Sequence, residues 1–438
     1  MPTRKLSVLI AITWLVAMSP RANAQMGHVL EAIGPVNQSM GGAGTALPLD
    51  AMGALQWNPA SITGLPHSEV GFGAMLFAPE IELRSTVPAN TFGPGFPDQT
   101  MSGNTGSESD VNPIPSFALV CQRCDSPWTF GLGGFAIGGF GVDFPGSRTN
   151  PVLTPQLPDG GMGFGPIYSE FQLMQFCPTV ARTLGRGWSV GFAPTINWAS
   201  LAVSPFSAAA ANPDGSYSPG SSADSVWGMG FQTGVYYESP NRHWSFGASY
   251  KSPQWFEEFA LNSADHLGNP RQLSMKLDYP SIYSIGLGYR GLKRWQFAWD
   301  VRYVDYENTD GFQPAGFDTT GAVTGFGWES IWATALGAEY AINSRLRWRA
   351  GYTFNETPIN NANMFFNSPA PALVQHHLST GFTYEMGQGW MLSAAYKHGF
   401  QNSVTSPWQA PGLGEVPGTE VTGTLATYGL SFGISKCF

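Results

Sequence analysis

The sequence predicts an all-β protein: a 14-stranded antiparallel transmembrane β-barrel with an N-terminal plug inside its lumen. Three observations predict this fold. The N-terminus has the features of a secretory signal, many short segments alternate bulky apolar with small or polar residues, and these segments are joined by short turns and long loops in turn. Alternation with a period of two indicates strands, and the long-loop, short-turn rhythm is typical of outer-membrane barrels.

The N-terminus has the three parts of a signal peptide. Arg4 and Lys5 are basic, residues 6–18 form an uncharged apolar run, and Ala22-Asn23-Ala24 fits the small-x-small cleavage pattern. The apolar run has 13 residues, whereas a membrane-spanning helix needs about 20. We therefore predict a cleaved signal peptide at residues 1–24 and export to the bacterial cell outer membrane.

The composition argues against a large soluble domain and against nucleic-acid binding. Only 12% of the residues are charged, 13% are aromatic and 54 are glycine, so there are few charges to solvate a globular surface. Removal of the three basic residues in the predicted signal takes the formal net charge from −9 to −12. Nucleic-acid binding requires a basic face, which this balance does not provide.

The alternation is clear in residues 188–198 and 244–251, where one face is bulky and apolar and the other is small or polar. In a barrel the bulky face contacts lipid, and aromatic side chains lie at the two membrane interfaces. Tryptophan residues at the ends of the runs favour this interpretation over a soluble sandwich: Trp188, Trp244, Trp295 and Trp390.

The connections between the runs give the number of strands. Six are short turns, at 121–127, 184–187, 238–243, 291–294, 342–345 and 387–389. Seven are long loops, at 84–111, 138–169, 204–224, 262–272, 309–327, 356–375 and 404–420. Thirteen connections join 14 strands, an even number with both ends on the turn side, as a bacterial barrel requires. Residues 70–438 are the predicted barrel. Residues 25–69 do not follow the rhythm and are the predicted plug, because a lumen this wide leaks unless it is filled.

Several motifs, in this order along the chain, resemble the long-chain fatty acid transporter family of outer-membrane proteins (FadL/TodX type, OMPP1). The resemblance covers essentially the whole chain after the predicted signal. It is carried by Gly41–Ala46, Trp57–Ala60, Trp328–Trp332, Leu336–Tyr340, Arg349–Tyr352 with Pro358, and His376–Gly381.

The resemblance implies passive transport of hydrophobic compounds, either long-chain fatty acids or aromatic hydrocarbons. In this family the ligand is caught at extracellular loops, enters a pocket above the plug and leaves sideways through a kink in the third strand. Our count places the third strand at residues 128–139. Its glycines Gly131, Gly133, Gly134 and Gly138 are the candidate kink, since glycine marks bends in strands; ordinary barrel curvature is the alternative.

The parity of the strands predicts which basic side chains face the lumen, because a charge on the lipid face costs about 2–4 kcal/mol near the membrane centre. Arg302, Arg347, Arg349 and Lys397 are on inward positions. An inward arginine can bind a carboxylate through two hydrogen bonds, so these four are candidate ligand-binding residues. The alternative is a set of internal ion pairs, such as Arg302 with Asp300. No motif of the chain matches the family's carboxylate-binding residues.

Two further groups are candidate functional residues. Aromatic loop residues could capture ligand or contact lipid headgroups: Phe164, Phe206, Trp255, Phe256 and Phe259. In the plug, Asn58, Pro59 and Ala60, with Gly41 and Gly42, form either a structural turn that seats the plug or a moving gate.

Cys121 and Cys124 lie in a tight turn of an exported chain, which favours a disulfide; a metal knuckle or a redox pair would need partners that the sequence lacks. No metal and no cofactor are predicted. No enzyme function is predicted, because a hydrolase such as a lipase needs a nucleophile elbow and the sequence has none. The remaining alternative is a general porin for small polar solutes. The expected partners are hydrophobic small molecules, outer-membrane lipid and the barrel assembly machinery, which would meet the last strand ending at Phe438. We expect a monomer.

Overall fold

The computed structural model describes residues 26–123, 125–220 and 223–438. The predicted signal peptide and Cys124 lie outside these residues. None of the helices in the described part of the chain is long and apolar enough to cross a membrane.

The described residues contain eighteen strands. They are β1 (Glu69–Val87), β2 (Met101–Gly106), β3 (Asn112–Gln122), β4 (Trp128–Phe144), β5 (Ile167–Gly185), β6 (Trp188–Ser204), β7 (Asp224–Glu238), β8 (Trp244–Lys251), β9 (Trp255–Phe256), β10 (Phe259–Ala264), β11 (Pro270–Met275), β12 (Ser281–Leu292), β13 (Trp295–Asp305), β14 (Ile331–Ala341), β15 (Leu346–Asn355), β16 (His376–Gly387), β17 (Trp390–Ala410) and β18 (Gly414–Cys437).

Fourteen of these strands form a closed antiparallel barrel, which confirms the predicted fold class. Each barrel strand pairs with its neighbours in chain order, β3 follows β1, β12 follows β8, and β18 pairs back onto β1 from Glu69↔Cys437 to Thr86↔Glu420. Closure pairs the first barrel strand with the last, so that neither is an open edge of the sheet in lipid. The other four strands lie in the long connections: β2 pairs antiparallel with the end of β1, β9 pairs with β7, and β10 and β11 form a hairpin.

Several of the predicted loops contain strand residues. The predicted loop at 84–111 contains the end of β1 and β2, and the predicted loop at 138–169 contains the end of β4. The predicted loop at 404–420 is wrong, because β17 and β18 continue through it and leave only residues 411–413 as a turn. Hydroxyl pairs hold the two strands together there, Ser403 with Thr424 at 2.8 Å and Thr405 with Thr422 at 2.7 Å. The predicted loop at 262–272 contains the turn of the β10–β11 hairpin rather than an irregular segment. The small polar residues of these segments favour loops in a sequence-based prediction, but in the structure they form paired strands above the membrane.

The outer surface of the barrel follows the predicted alternation. Phe192 and Trp244 are about half exposed, at 47% and 49%, on the lipid-facing side. A row of aromatic pairs marks the turn side of the membrane, with ring centroids 4.5–4.8 Å apart: Trp188–Tyr237, Trp244–Tyr289 and Trp295–Tyr340. In the last strand Leu430, Phe432 and Ile434 also face outward, and exposed Phe438 donates its backbone N–H to the Ser68 carbonyl at 3.0 Å.

Residues 26–68 fold inside the barrel as a plug, and most of them are buried. The plug contains helices α1 (Gly34–Ser39) and α2 (Ala51–Trp57) and a 3-10 helix at Ser61–Gly64. Pro35 in the first turn favours the start of α1, and the Asp50 carboxylate caps α2 by accepting the Gly53 N–H at 3.2 Å. Burial raises the pKa of Asp50 to about 6. The barrel begins at Glu69; the predicted division of the chain into three segments stays a prediction.

Three further 3-10 helices lie in the long loops, at Pro151–Leu153, Leu157–Asp159 and Phe365–Asn367.

The plug backbone lies directly against the inner wall at glycine positions. At Gly351 of β15 a Cβ atom would come within 2.0 Å of the Gly41 nitrogen. Gly41 has φ +65°, donates to Ser379 Oγ at 3.1 Å and accepts from Thr353 Oγ1 at 2.5 Å. Glycine is therefore required on both sides of this contact, at Gly41 of the plug and at Gly351 of the wall.

We predict that Gly351→Ala unseats this part of the plug and raises the ionic conductance of the protein in planar bilayers. The added methyl group overlaps backbone, which cannot rotate away, and overpacking of this kind costs about 1–3 kcal/mol. Gly106→Ala is the matched control, because a Cβ at Gly106 meets nothing within 4 Å. Wild-type conductance in both variants would contradict the prediction.

Candidate functional site

The barrel wall has a gap between its second and third strands, β3 and β4. The two strands pair from Gln122↔Thr129 only as far as Ser116↔Phe135. Beyond this point β3 remains paired with β1, and β4 remains paired with β5 up to Phe144. The side of β4 that would face β3 therefore has no wall strand beside it from residue 136 onward.

Two features of the sequence account for the gap. Pro113 and Pro115 remove two backbone donors from β3, and since alternate residues of a strand point their N–H groups to the same neighbour, both losses fall on one side. In β4 the pairing with β5 shifts register between Ala136 and Gly138. Such a bulge bends a strand and ends regular pairing.

The plug supplies the backbone partner that β4 lacks. Leu30 N–H donates to the Ile137 carbonyl at 2.9 Å, Gly139 N–H donates to the His28 carbonyl at 3.0 Å, and Val29 forms a bridge with Gly138. A Cβ on Gly138 would lie 2.5 Å from the His28 carbonyl oxygen. Residues 28–30 therefore act as a short strand that closes the gap from inside.

The side chain of His28 lies in an aromatic cage. Its ring stacks on Phe312 at 7° with 5.2 Å between centroids, and four more aromatic rings lie within 5.9 Å. The cage consists of Phe171, Tyr279, Tyr306, Phe312 and Trp328. Neither ring nitrogen has a hydrogen-bond partner among the described residues. Burial lowers the pKa of His28 to about 3, so the cage holds a flat, neutral ring.

A cavity of about 370 Å³ lies above the cage, among the long loops. This volume is within the range of pockets that bind small molecules. Its walls come from the ends of β4, β6 and β11 and from three loops, and most are apolar. They include Phe140, Leu201, Val203, Phe206, Met275, Phe326 and Phe366, with Lys276, Asp310 and Gln313 as polar members.

Two phenylalanines connect the cavity, the cage and the gap. Phe140, just beyond the bulge of β4, has its ring 5.1 Å from Phe171 and 6.0 Å from Phe326. Phe326 in turn lies 5.7 Å from Phe312 and 5.9 Å from Trp328. The three features are therefore contiguous, from the extracellular loops to the side of the barrel.

Comparison with known proteins agrees with this geometry. Residues 13–435 match the family described as "Outer membrane protein transport protein (OMPP1/FadL/TodX)". The chain belongs to the OMPP1/FadL/TodX family. Its members are outer-membrane transport proteins, so the predicted outer-membrane class and the absence of an enzyme function are confirmed at family level. No curated protein sequence matches the chain.

Solved structures of the OMPP1/FadL/TodX family share the fold. The toluene transporter TodX of P. putida is 17% identical with a TM-score of 0.66, and the match covers 93% of this chain and 99% of TodX. A FadL homologue of Pseudomonas aeruginosa is 17% identical with a TM-score of 0.71 over 93% and 98%. The monoaromatic hydrocarbon channel CymD is 18% identical with a TM-score of 0.60 over 93% and 98%.

Two of the basic residues predicted to bind ligand in this family member form buried ion pairs. Arg302 Nη2 lies 2.6 Å from Asp300 Oδ2 and donates to the Gly42 carbonyl at 2.8 Å. Arg349 Nη2 lies 2.7 Å from Glu339 Oε2. Both guanidinium groups are nearly inaccessible to solvent, and the arrangement is the ion-pair alternative considered for the sequence. Their role as carboxylate ligands stays a prediction.

The other two predicted basic residues differ in their surroundings. Lys397 is buried in an ion pair with Glu31 of the plug, and His377 Nδ1 lies 3.4 Å from the same carboxylate. Burial alone would raise the pKa of Glu31, but the charges of Lys397 and His377 and the Lys397 hydrogen bond lower it to about 2. Arg347 lies near the turn end of β15, is partly exposed and does not line the cavity.

The five predicted capture residues do not form one site. Phe206 is buried and lines the cavity, and Phe164 packs on Phe365 at 5.6 Å. Phe256 and Phe259 are buried in the core, where Phe259 contacts the cage residue Phe171. Trp255 is 51% exposed on β9. The loop position of these residues in the sequence does not reveal which of them face the cavity.

The predicted kink glycines lie in β4, whereas the predicted plug residues at 58–60 contact other parts of the plug and the wall. Gly131, Gly133 and Gly134 lie in regularly paired β4, and Gly138 lies at the register shift beside the plug. Asn58 Nδ2 donates to the Thr45 and Val235 carbonyls at 2.9 Å each, and Asn58 Oδ1 accepts the Ala60 N–H at 3.0 Å.

The cysteine pair and the outer wall contribute nothing to the described site. Cys121 forms no disulfide with any residue that the structure describes, and its predicted partner Cys124 lies outside the described residues, so the disulfide stays a prediction. A groove of about 460 Å³ on the outer wall of β7, β8 and β12–β14 is lined by lipid-facing side chains such as Tyr250 and Tyr283, and therefore lies outside the lumen.

His28, the aromatic cage and the two prolines of β3 were not predicted from the sequence. The Pro-x-Pro spacing at 113–115 was a usable signal, since proline interrupts a strand ladder. The cage offered no local signal, because its members lie 143–300 residues from His28 in the chain.

We predict that Lys397→Met loosens the N-terminal part of the plug, because removing one partner of a buried ion pair leaves the other charge uncompensated and costs about 3–5 kcal/mol. Protease sensitivity of residues 26–40 in the folded barrel measures the effect. The double variant Glu31→Gln/Lys397→Met should recover most of the protection, and equal sensitivity of the single and double variants would contradict the prediction.

The wild-type protein should lose the same attachment in acid. Glu31 has a folded pKa near 2, below its ordinary value of 4.5, so its stabilising contribution is complete above about pH 4.5 and disappears as the pH falls toward 2.

Proposed function

We propose that the protein transports small hydrophobic compounds passively across the outer membrane, from the extracellular loops to the lipid on the side of the barrel. The observation that carries this proposal is the contiguity of the loop cavity, the aromatic cage and the gap between β3 and β4. TodX is a toluene transporter and CymD is a monoaromatic hydrocarbon channel, which supports a hydrophobic substrate. Fatty acids and aromatic hydrocarbons both fit this class.

The first step is capture in the loop cavity. Phe206, Phe326 and Phe366 give it an apolar surface, and burial of apolar ligand area contributes about 25 cal/mol per Å². Removal of such a compound from water requires no chemical energy source. The cavity volume of about 370 Å³ accommodates a small hydrophobic molecule.

The second step is exchange with His28. The ligand enters the cage and replaces the imidazole, whose nitrogens form no hydrogen bond there. Withdrawal of residue 28 also removes the hydrogen bond from Gly139 to the His28 carbonyl. Occupation of the cage by ligand and closure of the gap by the plug therefore compete.

The third step is lateral exit. A ligand in the cage lies next to Phe140 and Phe171, beside the part of β4 that has no neighbouring wall strand. Once residues 28–30 move, the gap connects the cage with the membrane, and an apolar molecule passes into lipid without crossing the polar lower part of the plug.

The general porin alternative has less support. A porin needs a continuous water-filled lumen, whereas residues 26–62 are almost all buried between the strands. The inward-facing residues below the cavity contact the plug rather than water, as for Asp300, which accepts the Gly44 and Thr45 N–H groups at 2.8 and 2.9 Å.

We predict that cells expressing this chain accumulate labelled toluene or labelled oleate faster than cells without it, and that uptake of a small sugar does not change. Uptake by porin-deficient cells measures this directly, because background diffusion is then low. Increased sugar uptake with unchanged uptake of both hydrophobic compounds would favour the porin alternative.

We also predict that Gly138→Ala increases release of hydrophobic ligand into the membrane, because the new methyl group displaces the His28 carbonyl and weakens the seal. Gly134→Ala is the control in the same strand, since a Cβ there meets only the Phe176 side chain, at 3.1 Å. Release from purified protein into vesicles measures the effect. If the two variants release ligand at the same rate, the gap is not the exit.

A further inference from the structure

The two ends of the barrel carry opposite charge. The seven connections on the long-loop side (88–111, 145–166, 205–223, 252–280, 306–330, 356–375 and 411–413) contain 14 acidic residues and three basic ones. The six turns on the other side (123–127, 186–187, 239–243, 293–294, 342–345 and 388–389) contain six basic residues and one acidic residue. An anion that approaches the loops therefore meets a negative surface, and a cleft focuses such a potential.

The loop cavity, where the proposed route begins, also has an excess of negative charge at its wall. Its charged lining residues are Asp310 and Lys276. Lys276 Nζ lies 3.1 Å from Asp278 Oδ1 and also donates to the Phe256 carbonyl. The ammonium group is thus already paired with a carboxylate, and Asp310 adds a further negative charge at the cavity wall.

Three of the inward-facing cations below the cavity are also paired. Arg302 contacts Asp300, Arg349 contacts Glu339, and Lys397 contacts Glu31. A ligand carboxylate that reached these groups would have to displace a protein carboxylate from a buried ion pair. Without a counter-ion, a charged group is strongly disfavoured in an apolar cavity.

Lys251 differs from these three cations. Its ammonium group contacts only neutral acceptors among the described residues, Gln175 Oε1 at 3.2 Å and Gln56 Oε1 at 3.4 Å. It does not line the loop cavity, and it is buried against α2 of the plug. Lys251 is therefore the place where a carboxylate would bind if the route accepted one.

From this distribution of charge we propose that the route selects uncharged hydrophobic compounds and excludes their carboxylate analogues. The inference rests on the proposed transport function and names the substrate class of the same route. An uncharged ring or alkyl chain meets the apolar cavity and cage without electrostatic cost, whereas the matching carboxylate is repelled at the loops and finds no unpaired cation in the cavity or cage.

The test compares neutral and anionic ligands with the same carbon skeleton. Binding of tritiated toluene and benzoate, and of 1-dodecanol and laurate, is measured at pH 7.5 on the full chain in nanodiscs by scintillation proximity, with empty nanodiscs subtracted. We expect the neutral member of a pair to bind at least about tenfold more tightly. Equal or tighter binding of a carboxylate would overturn the charge selection and leave the transport function intact. Binding of none of the four would instead contradict the proposed function.

Three variants test which residue causes the discrimination between neutral and anionic ligands. Asp310→Asn should increase the ratio of carboxylate affinity to neutral-ligand affinity at least about threefold, and heat-modifiable migration of the barrel in gel electrophoresis reports that the variant is folded. Asp98→Asn removes the same charge from a loop outside the cavity, and equal effects of the two variants would overturn the role given to the cavity. Lys251→Gln should change neither affinity; loss of carboxylate binding in this variant would identify Lys251 as an anion site and overturn the proposal.

Discussion

The hydrogen bonds between residues 28–30 of the plug and residues 137–139 of β4 are the interaction on which the route depends. In lipid, every backbone N–H and C=O group needs a partner within the protein. Where β3 turns away from β4, the plug provides that partner. The same three residues carry the His28 ring into the aromatic cage. A short piece of chain therefore completes the wall and fills the pocket at the same time.

Buried ion pairs hold the rest of the plug against the wall. The Asp300 carboxylate pairs with Arg302 and accepts two N–H groups of the plug. Lys397 pairs with Glu31 of the plug, which is three residues after His28 in the chain. A buried pair is costly to desolvate and adds little net stability, but loss of one partner is strongly destabilising. Such contacts define the position of the plug more than they add to overall stability. Their charges are also satisfied within the protein, which leaves the apolar upper lumen without an unpaired cation in its lining.

The sequence predicted what depends on local pattern. The period-two alternation gave the closed barrel of fourteen strands and the inward position of Arg302, Arg349 and Lys397. The partners of these residues were only partly predictable: Asp300 is two residues from Arg302, whereas Glu31 and Lys397 are 366 residues apart. The cage around His28 is equally non-local. The extended β17–β18 hairpin was missed because Ser and Thr pairs above the membrane lack the apolar face by which strands were recognised.

In the proposed route, residues 28–30 both fill the cage and close the gap, so ligand binding and opening of the gap are coupled thermodynamically. A ligand that occupies the cage favours the conformation in which residues 28–30 have left β4, and by reciprocity an open gap favours ligand binding. The apparent affinity for ligand is the affinity of the open conformation multiplied by the fraction of protein whose cage is free. The imidazole is a suitable occupant for this purpose, since it packs on Phe312 but gains no hydrogen bond there. A hydrophobic ligand therefore has to exceed only the packing of one ring and the backbone hydrogen bonds of three residues, a requirement that binding energy can meet without an external energy source.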